Sequence, residues 1–298
     1  GGAVAAAFCK VKGAKAVILM PAEEVTEMQR KQMTTVGGNV TSVLVNGKFD
    51  DCQRLAKEAF AEIEGLTSAN SINIGRLLPQ IVYYFYVYCR TKATTFVVPS
   101  GNFGNLVAGV MAKKMGLPIK FIAAVNENDE VPRFLETGHY KPVVPSRKCL
   151  SNAMNVGNPS NLARLIWLYS GRMNEKAEIE KLPNMQQLRE DVTAISIDDE
   201  ETKKAIKAAY AKGIVLEPHG TVGFAAIQKL KRNLDLSGVV LFETAHPAKF
   251  PEVLDALRIS YEVPGRLAKL EGLEERYVLI NANLDELRAV IESAKNAS

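Results

Sequence analysis

Short apolar runs alternate with amphipathic stretches along most of the chain. "KAVILMP" (15–21) is an apolar run closed by proline, the pattern of a buried strand. "AEEVTEMQRKQMTTVG" (22–37) carries acidic residues in its first turn and runs into Gly37 and Gly38, which predicts a helix. "NVTSVLVNG" (39–47) is β-branched and ends in Asn-Gly, and "DDCQRLAKEAFAEI" (50–63) is a helix opened by Asp. "AVAAAFCK", near the start, has the composition of the body of a helix whose cap lies further upstream.

The alternation continues past Ser68. "SINIGRLLPQIVYYFYVYCR" (71–90) predicts one long helix, apolar enough to be buried on most sides. "TTFVVPS" (94–100) and "PIKFIAAVN" (118–126) predict strands flanking the helix "NLVAGVMAKKMG" (105–116). Residues 138–160 hold Pro142, Pro145 and Pro159 with little periodicity, a long ordered loop. Beyond it come a strand at "VTAISID", helices at "DEETKKAIKAAYAKG" and "GTVGFAAIQKLKRN", and a strand at "GVVLFETAH". A strand at "RYVLI" and a helix at "LDELRAVIESAKN" close the chain. Strands alternating with helices imply an α/β fold with mostly parallel sheets covered on both faces. The expected division is a part of a smaller α/β domain over 1–67 and a larger one over 68–298.

Composition narrows the function. The 298 residues are 47% hydrophobic and 23% charged, with a net charge of +4 and scattered Lys and Arg. No basic face interleaved with aromatics is visible, so nucleic acid is not an expected partner. No apolar run reaches a membrane span, so no membrane partner is expected either, and the expected location is cytoplasmic. Cys9, Cys52, Cys89 and Cys149 are far apart, and His139, His219 and His246 stand at no metal-ligand spacing. Reduced thiols and no metal are expected.

The stretch carrying the most chemistry is "SGNFGN" (100–105), between a strand and a helix. Gly101 and Gly104 permit positive φ and close approach, and the new helix points its unpaired N–H groups at the same place. A phosphate monoester fits, and so does a plain turn; Asn105 also fits an N-cap. The pattern is neither that of an NTP loop nor that of a dinucleotide fold. "ANSINIGR" (69–76) sets Asn70, Ser71 and Asn73 ahead of Arg76 at a helix start, which suits either a phosphate ester or a capped helix with a solvated Arg. Glu217 and His219 precede a helix, where they either cap it or pack near a ligand.

Five segments in order resemble the microbial, yeast-like branch of the threonine synthase family. They are "LTSANSINIGRLLPQ", "VPSGNFGNLVAGVMAKKMGLPI", "NENDEVPRFLETGHY", "EPHGTVGFAAI" and "TAHPAKF". The resemblance implies fold type II of the pyridoxal-phosphate enzymes, the tryptophan synthase β-like class. It implies a carbon–oxygen lyase that turns O-phospho-L-homoserine and water into L-threonine and phosphate with pyridoxal 5′-phosphate. By family position, Gly101, Asn102, Phe103, Gly104 and Asn105 cradle the cofactor phosphate, Asn105 standing where Asp is common. Thr244, at the end of the strand "GVVLFET", faces the pyridine nitrogen. Asn70, Ser71, Asn73 and Arg76 serve the substrate phosphate. His246 is structural and Lys249 opens a helix.

In the family an S-G-D-T-G run leads into a stretch like "GAVAAAF", and the Schiff-base lysine sits in an S-F-K-D motif further upstream. Lys10, Lys12 and Lys15 do not match that motif, so the lysine is expected upstream of Gly1, and the chain alone is expected to be inactive. Two other readings stay open: another fold-type-II enzyme such as a dehydratase or a β-replacing synthase, and a non-catalytic phosphate-ligand-binding module.

Overall fold

The computed structural model describes residues 2–233 and 235–296, which form two α/β units. The first unit takes the chain up to Ala69, Ala248–Glu252, and the chain from Tyr261 on; the second takes Asn70–Pro247 and Val253–Ser260.

The first unit opens with α1 (Gly2–Phe8), β1 (Ala16–Pro21), α2 (Glu27–Thr34), β2 (Val40–Asn46) and α3 (Phe49–Glu62). Helix α2 starts later than its acidic lead-in suggests, because Thr26 builds a capping box. Its Oγ1 accepts the Gln29 N–H at 3.2 Å and its own N–H donates to Gln29 Oε1 at 3.0 Å.

The second unit runs through α4 (Ile81–Thr91), β3 (Thr95–Pro99), α5 (Gly104–Lys114), β4 (Lys120–Val125), α6 (Glu130–Thr137) and α7 (Leu162–Leu168). A small antiparallel pair follows, β5 (Arg172–Met173) with β6 (Ile179–Lys181). Then come α8 (Met185–Asp191), β7 (Val192–Ser196), α9 (Asp199–Tyr210), α10 (Pro218–Leu230) and β8 (Val239–Leu241). The residues of α11 (Pro251–Ala256) are divided between the units, and α12 (Gly265–Ala268), β9 (Val278–Asn281) and α13 (Leu284–Asn296) belong to the first.

That last assignment corrects the expected division, in which 68–298 formed one domain. Strand β9 pairs in parallel with β2, from Val43 opposite Val278 to Asn46 opposite Asn281, giving the order β1-β2-β9. Leu287 and Ile291 of α13 pack with Leu55 and Ala59 of α3 in one core. Apolar periodicity reports which elements form but not which distant strand they join.

Helix α4 is a second correction. Residues 71–90 are not one buried helix. Two 3₁₀ turns, Ile74–Arg76 and Leu78–Gln80, precede α4. Asn73 Oδ1 accepts the Gly75 N–H at 2.9 Å, and Pro79 has no N–H to continue an α-helical ladder. Only Tyr84 of α4 is fully buried, while Val82, Tyr83 and Tyr86 are 62%, 51% and 59% exposed.

The sheet of the second unit has the order β7-β4-β3-β8, all parallel. Its central strands are covered on both faces. Tyr84, Leu106, Val110, Leu162 and Ile166 lie on one side; Ile197, Ala205, Val222 and Ala226 lie on the other. The chain steps outward through β3, β4 and β7, then returns to lay β8 on the opposite side of β3. In such sheets that reversal opens a crevice at the carboxyl ends of the two strands, here β3 and β8. All four cysteines are free thiols, and no helix of the described residues is long and apolar enough to cross a membrane.

Candidate functional site

The turn "SGNFGN" sits where β3 ends at that reversal, and α5 begins inside it. Phe103 is the N-cap of α5 with φ 59°, a left-handed conformation that costs a bulky side chain on the order of 1–2 kcal/mol. Its ring is buried in the core, which offsets the strain. The first intrahelical bond runs from the Val107 N–H to Phe103 O, and the N–H groups of Gly101 to Asn105 find no acceptor among the described residues. Five donors thus gather at one helix N-terminus, which suits a phosphate.

Neighbouring backbone walls the turn. A Cβ at position 101 would lie 2.8 Å from Met154 Cα and 3.1 Å from Ala153 O. At position 104 it would meet Ser71 Cβ at 3.3 Å and Asn161 Nδ2 at 3.5 Å. Glycine is required at 101 by contact with backbone that cannot yield, and at 104 less strictly. Asn105 departs from its expected capping role. It lies inside the helix, where its Oδ1 and its backbone O share the Tyr84 hydroxyl proton at 2.6 and 2.9 Å. Burial holds that hydroxyl far above its usual pKa. The Asn105 side chain therefore serves the core, and its N–H serves the turn.

Asn102 joins the turn to both flanking segments. Its Nδ2 donates to Ser71 Oγ at 2.7 Å; its Oδ1 accepts the Ser160 N–H at 2.7 Å and the Ser160 hydroxyl at 3.0 Å. Ser71 in turn donates to Asn70 Oδ1 at 3.0 Å. Arg164, on α7, donates to the carbonyls of Ser71 at 3.3 Å and Ile72 at 2.6 Å, and to Asn161 Oδ1. Partial burial lowers the pKa of Arg164. Asn73 caps the 3₁₀ turn that holds Arg76. Arg76 itself is exposed, and its guanidinium has no partner among the described residues. Of the four expected residues, Ser71 contacts the glycine-rich turn, Asn70 is bonded to Ser71, and Asn73 and Arg76 lie at the 3₁₀ turn that follows.

Thr244 lies beyond the end of β8 rather than in it, and it is exposed. The expected strand through 244 stops at Leu241, although the Phe242 N–H still donates to Val97 O at 3.0 Å. Because β8 neighbours β3, Thr244 and the turn leave the same edge of the sheet. Glu217 is fully buried and caps α10, accepting from the His219 N–H at 2.9 Å and the Gly220 N–H at 2.7 Å. Burial alone would raise its pKa, but the His219 ring and these N–H groups hold it below the ordinary carboxylate value. His219 Nε2 accepts the Ala153 N–H at 3.0 Å, so the proton is on Nδ1, which faces Glu217. Capping and packing near the site are both present.

Residue types alone did not single out Asn126 and Asn128. Both are buried at the end of β4, where Asn126 Nδ2 donates to Ser151 Oγ at 3.2 Å and Asn155 Oδ1 at 3.0 Å. The Arg147 N–H donates to Asn128 Oδ1 at 2.8 Å. Together they fasten the loop that walls Gly101. The signal was there, two amides directly after a buried strand. Glu127, Cys149 and Asp199 bring one potential metal-binding atom each within 4.8 Å of the others. Burial pushes the Cys149 thiol up to about 11, and Asp199 Oδ1 already accepts the Leu150 N–H at 3.0 Å, so the group does not form a prepared ligand set.

A parallel α/β sheet with a donor-lined turn at its reversal defines the class, and the sequence agrees with it. The family described as pyridoxal-phosphate dependent enzyme matches residues 1–243, and the family described as threonine synthase, C-terminal, matches residues 221–291. The threonine synthase of Haemophilus influenzae is 42% identical over 98% of this chain and 68% of its own length. The crystal structure of threonine synthase from Escherichia coli superposes with a TM-score of 0.85 at 37% identity, over 98% of this chain and 67% of that one. A pyridoxal-phosphate-bound threonine synthase from Brucella melitensis gives 0.87 at 31% identity, over 99% of this chain and 68% of that one. The chain belongs to the threonine synthase family and has the fold-type-II architecture. It spans between 59% and 68% of the length of the first four curated relatives.

Proposed function

We propose that the protein is a cytoplasmic threonine synthase, converting O-phospho-L-homoserine and water to L-threonine and phosphate with pyridoxal 5′-phosphate as cofactor. The observation that carries this reading is the pairing of two phosphate-suited places at one sheet edge. One is the turn whose five N–H groups lack acceptors among the described residues, and the other is the neighbouring segment, whose Arg76 guanidinium has no partner among them.

The residues fit the cofactor. The N–H groups of Gly101, Asn102, Phe103, Gly104 and Asn105 would take its phosphate, and the hydroxyl of Thr244 its ring nitrogen. A hydroxyl there, unlike a carboxylate, leaves that nitrogen largely unprotonated. When bound, the cofactor supplies the electron-accepting ring that makes carbon–hydrogen bonds near the substrate amine labile. Asn70, Ser71, Asn73 and Arg76 would bind the phosphate of the substrate. Arg76 meets it with a charge-assisted bond and stabilises the phosphate as it departs. Proton transfers by lysine are not assigned to any residue of this chain.

The test is phosphate release from O-phospho-L-homoserine by the protein expressed from its gene, with threonine measured in parallel. Threonine and phosphate in equal amounts support the reading. Ammonia and a ketoacid instead would make it a dehydratase, and no turnover of the phosphoester would overturn it.

A further inference from the structure

Two carboxyl groups, those of Glu217 and Glu243, meet at the first turn of α10. Glu243 stands two residues past β8, next to Thr244. The residue as a whole is exposed, but its carboxyl end lies over Gly220. A Cβ at 220 would come within 1.5 Å of Glu243 Oε2 and 2.4 Å of its Cδ. The same Gly220 donates its N–H to Glu217 Oε1 at 2.7 Å, so both carboxyls sit at one backbone position.

Two carboxylates offer only acceptors, so a hydrogen bond between them needs a proton. Its owner follows from the donors around each group. Glu217 already faces the N–H groups of His219 and Gly220 and the His219 ring N–H, all of which favour its charged form. Glu243 faces the Glu217 charge and a single backbone N–H, that of Glu217. We propose that Glu243 is a carboxylic acid donating its proton to the Glu217 carboxylate, and that this bond positions Thr244 for the cofactor ring.

The same Glu217 carboxylate works in the other direction. Through His219 it holds the Ala153 N–H, and Ala153 and Met154 form the wall against which Gly101 leans. One buried anion therefore connects the ring end of the candidate site with its phosphate end. Burial first, and then the charge of Glu217, push the Glu243 carboxyl up to about 8. The titratable groups facing it are Glu217 and, behind that, His219. Strands β3 and β8 and the 152–154 turn, which pack on α10, carry none. Strand β4 carries Lys120, α9 carries Asp199, Glu200, Glu201, Lys203, Lys204, Lys207 and Tyr210, and the 3₁₀ turn after α10 carries Lys231 and Arg232, none of which acts on Glu243.

The positioning role rests on the cofactor reading above. It is tested with 4′-deoxypyridoxine 5′-phosphate, which has the ring and phosphate of the cofactor but no aldehyde, so that binding stays noncovalent. Wild-type affinity is expected to fall roughly tenfold between about pH 7 and about pH 9.5, as the shared proton is lost. Glu243→Gln keeps a donor and cannot ionise, so it should bind like wild type at the lower pH and lack the additional fall. Glu243→Ala should bind more weakly at both. A glutamine variant with the wild-type pH step, or an alanine variant with wild-type affinity, overturns the proposal.

If wild type does not bind the analogue, the cofactor reading fails, and the positioning of Thr244 fails with it. The shared proton is then decided by unfolding of the unliganded protein. The wild-type midpoint should fall more steeply between about pH 5 and about pH 8 than that of Glu243→Gln; equal slopes overturn it. Should the glutamine variant not fold, the side-chain carboxyl NMR resonance of Glu243 in wild type decides. Titration near pH 8 supports the shared proton, and titration below about pH 5.5 contradicts it.

Discussion

The turn at 100–105 owes its shape to its own backbone and to close packing, whereas the segment at 70–76 owes its place to bonds that other residues make to it. Phe103 is in the left-handed region, Gly101 touches backbone, and the N–H groups stand in position with no acceptor among the described residues. Segment 70–76 is held through the carbonyls of Ser71 and Ile72 by Arg164 and Asn161, and through the Ser71 hydroxyl by Asn102. Its polar end, Arg76, reaches solvent. A backbone cradle recognises any phosphate monoester and tolerates little change of shape. A side chain on a fastened segment adds charge and can be exchanged without disturbing the fold. Under the proposed function, the cradle would take the permanently held cofactor and the segment a substrate that comes and goes.

Gly101→Ala should do the most damage. Its Cβ would be driven into Met154 Cα, and overpacking against backbone costs about 1–3 kcal/mol or more. Cofactor affinity, followed by absorbance titration, should drop at least roughly tenfold. Asn102→Ala comes next. It removes the bonds to Ser71 and Ser160 at about 1 kcal/mol each, so cofactor affinity and substrate KM should both worsen. Arg76→Ala sharpens the contrast. KM for the phosphoester should rise by roughly tenfold to a hundredfold, the value of one charged hydrogen bond, with cofactor affinity unchanged.

A smaller effect appears in stability against pH. Burial pushes the carboxyl of Glu130 up to about 8, as it does that of Glu243, and Glu130 Oε2 has no hydrogen-bond partner among the described residues. Both groups hold a proton in the folded state that the unfolded chain releases near pH 4.5. Their contribution is complete below that value and is lost as pH rises to about 8. Thermal midpoints should therefore decline from about pH 5 to about pH 8 and level off above it, and Glu130→Gln should flatten part of the decline. Gly104→Ala should have the mildest effect. The three atoms nearest its Cβ belong to side chains, Ser71 Cβ first at 3.3 Å, and the expected loss in cofactor affinity is about 1 kcal/mol.

Local pattern was enough to locate β3, the turn and α5, because a buried strand, two glycines and an apolar helix are contiguous. It was not enough for features set by distant partners. The 261–298 segment joins the first unit because β9 finds β2, more than two hundred residues earlier. Asn105 faces Tyr84 because α4 crosses α5 there, which no spacing within 100–105 reveals. Apolar residues all around α4 suggested burial, yet Val82 and Tyr86 face outward. The roles assigned to Thr244 and Arg76 came from resemblance, since a threonine past a strand and a lone arginine carry no pattern of their own. Glu243 was invisible in sequence, because its partner Glu217 is brought to it by the packing of α10 on β8.

The division of labour between cradle and segment is tested most directly by measuring cofactor affinity and substrate KM side by side in Gly101→Ala and Arg76→Ala. The expected result is a clean split: the glycine variant loses cofactor, and the arginine variant keeps it while its KM rises. Loss of cofactor from Arg76→Ala, or undiminished cofactor affinity in Gly101→Ala, would contradict it.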